Sequence, residues 1–275
     1  EKLRTCDEIR FTGSPPYLVH FVMPIAWLLG KRTRYRITDF HPECLIAALR
    51  REPAWLKPLK ALTNFWRRRV SVIEVLGEDQ RRRISECGVE SERIMLLRDG
   101  PPVKCGPHVV AAQSPPVLRG RAIVLYSGNW GVAHDVDTFV EGFALFCAEH
   151  PDAAGVWLNA TGKRADIVQQ LLEARQLPFS RTKPVPLEQL PGVLAAADVH
   201  LITLTDAFVG YVLPSKVYAC VESGRSVLFV GSADSDVHLV CSTRMALARY
   251  RRVDVGNPEG VRQALVELLA GKMHI

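Results

Sequence analysis

The sequence lacks most of the signatures that place a chain in a class at a glance. Its seven cysteines are odd in number and scattered, with no CxxC pair, which argues against a disulfide framework or a zinc ribbon and for reduced thiols. No apolar run reaches the roughly 20 residues of a membrane-spanning helix. YLVHFVMPIAWLLG (17–30) is too short and carries His20 and Pro24. Neither a G-x-G-x-x-G dinucleotide fingerprint nor a Walker lysine pattern is present. His108, His150 and His238 have no companions at metal-ligand spacing, so no metal site is expected. Internal repeats and low-complexity tracts are missing too.

What remains is a globular composition, 48% hydrophobic and 23% charged over 275 residues, long enough for two domains. The net charge of +6 suits anionic partners, among them nucleic acid, phosphorylated metabolites and acidic lipids, without choosing between them. The chain starts at Glu1 with no signal peptide, and it is expected to begin inside a longer protein.

From residue 121 strands and helices alternate. Strands are expected at 121–128, 155–162, 179–182, 198–204, 226–231 and 250–255, with helices at 135–149, 163–176, 187–197, 215–223, 234–242 and 258–271. Asn257 and Pro258 form an N-cap and N1 pair for the last helix. Continuous apolar strands between helices predict a parallel sheet covered on both faces, with its ligand beyond the carboxyl ends of the strands. The first hundred residues are of the same type, with strands at 8–13, 33–38, 70–77 and 93–99, but the sheet is expected to lack its first strands. The resulting expectation is an α/β chain of two Rossmann-like, doubly wound domains, 1–107 (incomplete) and 121–275. The linker, 108–120, lies within a stretch rich in Pro and Gly.

Four stretches could carry chemistry. In YVLPSKVYACVESGRSVLFVG (211–231), Ser215 is a natural N-cap and Gly224 a natural terminator of a helix of about two turns. Lys216 then falls at the helix end where the macrodipole disfavours a cation. Backbone N–H groups, a hydroxyl and an ammonium together would seat a phosphate; a solvated lysine on an ordinary capped helix is the plainer alternative. YSGNWGVAHDVDTF (126–139) joins a strand to a helix through two glycines, which would let backbone approach a ligand closely or simply form a tight turn. TDFHPE (38–43) sets Asp39, His41 and Glu43, residue types used as general acids and bases, just past a strand end. Those three could equally start and complement the next helix. PAWLKPLKALTNFWRRRV (53–70) interleaves Trp55 and Trp66 with Lys57, Lys60 and Arg67–Arg69, as a helix lying on an anionic membrane does. A core-packed helix with a solvated basic face would show the same pattern.

In order, TDFHPE, VLGEDQRRRISECGVESERI, YSGNWGVAHD, AAADVHLITL and LPSKVYACVESGRSVLFVG resemble the retaining glycosyltransferases of the GT-B fold, family 4 type. The similarity is to the subgroup that builds bacterial exopolysaccharides and cell-surface polysaccharides. The resemblance implies an enzyme moving a sugar from a nucleotide diphosphate sugar to a saccharide or lipid-linked acceptor, with reaction in the cleft between the domains. Neither a cofactor nor a metal nor nucleic acid is implied. It places Gly128, Asn129, Ser215 and Lys216 around the donor diphosphate, with His134 where many members carry a basic residue. The Thr182–Leu187 segment, with Val185, would lie against the nucleobase, and the His41 loop, with Asp39 and Glu43, would face the sugar. Apart from the resemblance, the reduced thiols lead to the expectation of a cytoplasmic location, and the 53–70 segment to that of a contact with the inner face of the membrane. The family's glutamate pair would fall at Tyr211 and Ala219, which favours the alternative of a catalytically silent nucleotide-sugar-binding subunit of a transferase complex; a sugar-nucleotide epimerase on the same architecture is a further alternative.

Overall fold

The computed structural model describes residues 5–272. They form two compact units, Glu1–Asp99 with Ala207–Leu213, and Gly100–Asp206 with Pro214–Ile275.

The first unit runs β1 (Glu8–Thr12), α1 (Val19–Leu28), β2 (Arg32–Arg36), α2 (Glu43–Leu49), α3 (Leu56–Arg67), β3 (Val72–Val75), α4 (Glu78–Glu86) and β4 (Ile94–Leu96). Its sheet is parallel, in the order β1-β2-β3-β4. The strands alternate, as period two requires. Phe11, Tyr35, Ile73, Val75 and Ile94 bury one face together with Val19 and Met23 of α1 and Ile84 of α4. The other face carries charge: Arg34 bridges Glu8 and Glu74, and Arg36 bridges Glu74 and Asp99. In the 207–213 segment, Tyr211 O accepts from Phe40 N at 3.1 Å. The Arg83 guanidinium lies 4.8 Å from the centre of the Tyr211 ring.

A buried ion pair holds the turn after β2. Arg67, with no solvent exposure, donates through its two Nη atoms to both oxygens of Glu43, at 2.5 and 3.0 Å. It also donates to Asn64 Oδ1 at 3.0 Å and to His41 O at 3.2 Å. This corrects the expectation for Glu43. Burial works to raise its pKa, but the facing guanidinium prevails and holds the carboxyl below its usual range. A carboxylate committed through both oxygens is a structural tie between α2 and α3, not an acid or base.

The second unit continues with β5 (Ala122–Asn129), α5 (Asp137–Glu149), β6 (Ala154–Thr161), α6 (Lys163–Ala174), β7 (Phe179–Thr182), α7 (Leu190–Ala195), β8 (Val199–Thr203), α8 (Lys216–Glu222), β9 (Ser226–Val230), α9 (Asp236–Arg244), β10 (Tyr250–Val253) and α10 (Pro258–Leu269). Its six strands are parallel, in the order β10-β9-β8-β5-β6-β7. Both faces are buried, which explains the unbroken apolar runs. Val124, Tyr126, Val156 and Leu158 pack with Phe139 and Phe143 of α5 and Leu265 of α10. Ile123, Leu125 and Trp157 pack with Val193 and Leu194 of α7. Asn257 Oδ1 accepts from Gly260 N at 2.9 Å, capping α10 as its sequence predicts. Strand order reverses at β5: β6 and β7 extend the sheet one way, β8 to β10 the other. Strands β5 and β8 pair only at Val124–Val199 and Leu125–His200, and their carboxyl ends form the switch point, the place where open α/β sheets hold ligands.

Breaking the Glu43–Arg67 pair from one side strands a buried charge. Glu43→Leu should therefore destabilise the protein by about 3–5 kcal/mol, while Glu43→Leu combined with Arg67→Met should recover most of the loss. Denaturant titration of wild type and both variants checks this; a double variant no more stable than the single one would refute it.

Candidate functional site

The site grows from the last buried turn of β5. Tyr126 stacks on Trp130, ring centres 3.7 Å apart, and its hydroxyl donates to Asn129 O at 3.1 Å. The Trp130 indole N–H donates to Asp135 O at 3.1 Å, closing the turn on itself. Above the remaining face of Tyr126 sits Lys216 Nζ, 3.2 Å from the ring centre. That nitrogen is buried and has no hydrogen-bond partner. Gly128 lies alongside at φ +120°, a conformation that favours glycine. A Cβ there would sit 3.8 Å from both Cε and Nζ of Lys216.

The loop after β5 is tied across the switch point to the end of β8. His134 donates through Nδ1 to Thr203 O, and Thr205 N donates to Ala133 O at 2.8 Å. Arg164, at the start of α6, donates to His134 O at 2.9 Å. Burial, with the nearby Lys216 charge, drives His134 down to about 3, so the imidazole is neutral and its Nδ1 carries the proton. The Cys220 thiol, pushed up to about 12 mainly by burial, is neutral as well. Lys216 therefore faces a neutral phenol, a neutral imidazole and a neutral thiol, and burial lowers its own pKa to about 7.

Of the expected donor residues, Gly128, His134 and Lys216 come together around Tyr126. Ser215 does not cap α8: it has helical backbone angles, no capping hydrogen bond, and an exposed side chain. Gly224, at φ +69°, ends that helix as expected. Asn129 is exposed, and its Oδ1 occupies the space that a Cβ on Gly162 would fill. Val185 is half-buried on the opposite face of the sheet from Tyr126, against the core of Leu118, Ile123 and Trp157. Beside it, Thr161, Gln169, Arg181, Thr182 and Lys183 line a cavity of about 430 Å³.

Asp39 and His41 lie in the first unit. Asp39 is exposed; His41 is half-buried, its ring 5.7 Å from that of Tyr17. Burial lowers the His41 pKa more than Asp39 and Glu43 raise it, so the ring is neutral at neutral pH. Among the described residues no group of three or more His, Cys, Asp or Glu is placed to hold a metal ion.

Sequence reasoning missed Tyr126 as the seat of the lysine, and Thr203 and Arg164 as the anchors of His134. Tyr126 had a signal: it is the one aromatic side chain in the strand at 121–128 that leads into the glycine turn. The other two are set by packing alone.

No family model matches the sequence. The chain is 22% identical over 240 residues to the probable glycosyltransferase WbjE of Pseudomonas aeruginosa, covering 84% of this chain and 59% of that protein. It thus spans little more than half the length of that curated relative. In structure it is similar to Anabaena HepE in complex with UDP and glucose, with a TM-score of 0.69 at 10% identity, over 96% of this chain and 68% of that one. It is also similar to an α,α-trehalose-phosphate synthase (UDP-forming) of Burkholderia vietnamiensis, with a TM-score of 0.63 at 11% identity, over 96% and 64%. The fold is GT-B. In this GT-B chain the lysine, glycine and histidine above gather at the switch point of the second sheet.

The lysine has a measurable signature. Its pKa is about 7 in the folded chain and about 10.4 unfolded. Between those values the unfolded state binds more protons, so this group makes stability rise with pH from about 7 to about 10. Below pH 7 the penalty for the buried charge is complete. Lys216→Met should accordingly raise the melting temperature most at pH 6, and the gain should fade towards pH 10. Melting curves of both proteins across that range test it; a pH-independent difference would mean that the ammonium is solvated.

Proposed function

We propose that the chain is the greater part of a retaining glycosyltransferase that takes a sugar from a nucleotide diphosphate sugar. The acceptor is a saccharide or a lipid-linked saccharide in cell-surface polysaccharide synthesis, at the cytoplasmic face of the membrane. The observation that carries this reading is Lys216 Nζ, buried and unpartnered beside the Gly128 turn. A buried cation with no counter-ion needs an anion, and a diphosphate supplies one together with acceptor oxygens for the ammonium donors.

When the bond from the sugar carbon to the diphosphate breaks, its electron pair stays on the phosphate oxygen. A preorganised ammonium stabilises that charge, the kind of term that dominates many enzymes' rate enhancement. We assign no metal or cofactor to the step. Val185 and the Thr182–Leu187 segment line the base end of the donor site, with Asn129 and Ser215 as further donor contacts. His41, neutral and half-buried, is the candidate group on the sugar, with Asp39 beside it. The 53–70 segment is the contact with anionic lipid.

A silent donor-binding subunit is the second reading. It is favoured by the two positions where the family's carboxylates would fall: Tyr211 is engaged with Phe40 and Arg83, and Ala219 is buried in the core. Slow hydrolysis of the donor by the full-length protein separates an enzyme from such a subunit.

Contacts from the ammonium to a diphosphate should contribute about 1.5–3 kcal/mol, so Lys216→Met should weaken binding roughly ten- to a hundredfold. Calorimetry with a panel of nucleoside diphosphates reads this directly, and equal affinities would sink the donor-site reading. Wild-type affinity should also decline as pH rises above about 7, whereas the variant should show no such decline. For His41→Ala, turnover should fall more than donor affinity, the pattern of a group engaged only in the transition state. Unchanged turnover would remove His41 from the site.

A further inference from the structure

We propose that Tyr17 is the positioning residue for His41: its ring, backed by the imidazole of His20, holds the His41 imidazole in the orientation in which it meets the transferring sugar. This deepens, and rests on, the reading of His41 as the group on the sugar.

The argument starts from what holds His41. Its backbone is fixed, because its carbonyl accepts from the buried Arg67 guanidinium at 3.2 Å. The side chain is held differently. Among the described residues no hydrogen bond reaches the His41 imidazole. The ring that lies against it is that of Tyr17, centres 5.7 Å apart and planes inclined at 55°, a spacing at which tilted rings attract. A half-buried imidazole free to rotate presents its nitrogens to a substrate in one direction only part of the time. A ring packed against it removes that freedom before the substrate arrives.

Tyr17 is itself held from behind. Its ring centre lies 6.2 Å from that of His20, the second residue of α1. His20 is pinned to α3: its Nε2 lies 3.0 Å from Thr63 Oγ1, and Thr63 donates its own proton to Leu59 O at 2.8 Å. The histidine is therefore the donor, through Nε2–H, and its buried, unpartnered Nδ1 carries the lone pair. Burial, with the Arg67 charge, lowers the His20 pKa; burial also lowers that of His41 and raises that of Tyr17. All three rings are neutral at neutral pH and pack as aromatic surfaces, with no charge to repel or to hydrate. The contacts run from the α3 backbone through Thr63, His20 and Tyr17 to His41.

The backbone gives an independent sign that the tyrosine side chain is required here. Tyr17 has φ +66°, in the left-handed region that favours glycine. A bulky residue in that region is an outlier. Such residues persist only where the surrounding structure holds them, and they collect at functional sites. Glycine would suit the turn between β1 and α1 better, but it would leave nothing to pack against His41. Tyr17 follows β1 and His41 follows β2, its neighbour in the sheet. The two loops thus meet at the carboxyl ends of adjacent parallel strands, where such sheets place their ligands.

The test compares Tyr17→Gly, Tyr17→Asn and Tyr17→Phe with wild type. Glycine and asparagine both accept a left-handed backbone, so neither variant should melt below wild type. Donor turnover should fall roughly ten- to a hundredfold in both, the scale of a misplaced reacting group, while nucleoside diphosphate affinity stays as in wild type. Tyr17→Phe keeps the ring and should restore turnover. A second readout needs no activity: the titration of the His41 ring, followed by NMR of protein labelled with nitrogen-15 at histidine. Its midpoint should move up towards the ordinary histidine value in the glycine and asparagine variants, because water reaches the surface that Tyr17 covers. It should stay in place in Tyr17→Phe. Asp39, Glu43 and Arg67, the charges that act on the ring, are the same in every variant. Wild-type turnover in Tyr17→Gly alongside an impaired His41→Ala would overturn the proposal, and so would an unmoved titration. Equal losses in Tyr17→Phe and Tyr17→Gly would overturn it too, since the hydroxyl and not the ring would be the working group. Full turnover in His41→Ala would instead remove the reading of His41, while a moved titration would still show that Tyr17 sets its ring.

Discussion

A cation held out of water without a counter-ion is the constraint around which the second unit is organised. Desolvating an ammonium is costly unless something replaces its hydration. The replacement here is the face of Tyr126, in contact with Lys216 Nζ at 3.2 Å from the ring centre. A desolvated cation–π contact of this kind is worth about 2 kcal/mol or more, which offsets part of the loss but leaves the hydrogen-bonding demand unmet. Trp130, stacked on the far side of the ring and anchored through its indole N–H, fixes the tyrosine in the orientation that the lysine requires. Glycine at 128 gives the turn the backbone conformation that brings it beside the same ammonium.

Sheet topology explains why these groups meet. In a parallel sheet that grows in both directions from one strand, the connections leaving β5 and β8 depart to opposite sides and cannot fill the space between them. The hydrogen bonds from His134 to Thr203 and from Thr205 to Ala133 stitch the two connections together at the mouth of that space. None of these ties reaches Lys216 Nζ, which keeps no hydrogen-bond partner of its own. The imidazole, by donating to a carbonyl in a buried setting, is locked neutral. Structural closure of the crevice and the electrostatic vacancy at its floor are therefore one arrangement.

Much of this was legible in the sequence, and the reason differs from element to element. Strands such as AIVLY were readable because burial on both faces leaves no polar alternation to confuse them, and Asn257–Pro258 because capping chemistry is local. The Gly128 turn and Lys216 were readable as a pair of oddities: a glycine at a strand end and a cation at a disfavoured helix end. Local chemistry misled at Ser215, where a favoured cap type makes no capping bond because its backbone is already helical. At Glu43 the reason lies further off in the chain. Its partner, Arg67, is 24 positions away and, within RRR at 67–69, cannot be told from its solvated neighbours until tertiary packing buries one of the three.

The two buried cations show why the residue types are not interchangeable. Arg67 keeps its proton under all conditions, so its burial demands a permanent partner; Glu43 meets that demand with two parallel bonds, and the pair holds its turn regardless of ligand. Lys216 has a different resource. With its pKa brought down to about 7, it can release its proton when the crevice is empty and so avoid the full penalty of an unpaired charge. On the donor-site proposal it takes the proton back when the diphosphate binds. Arginine at 216 would be charged in both states, and the empty site would then need a carboxylate to neutralise it, which would repel the anion. A lysine over an aromatic ring, among neutral neighbours, is the composition that lets one position be stable without ligand and cationic with it.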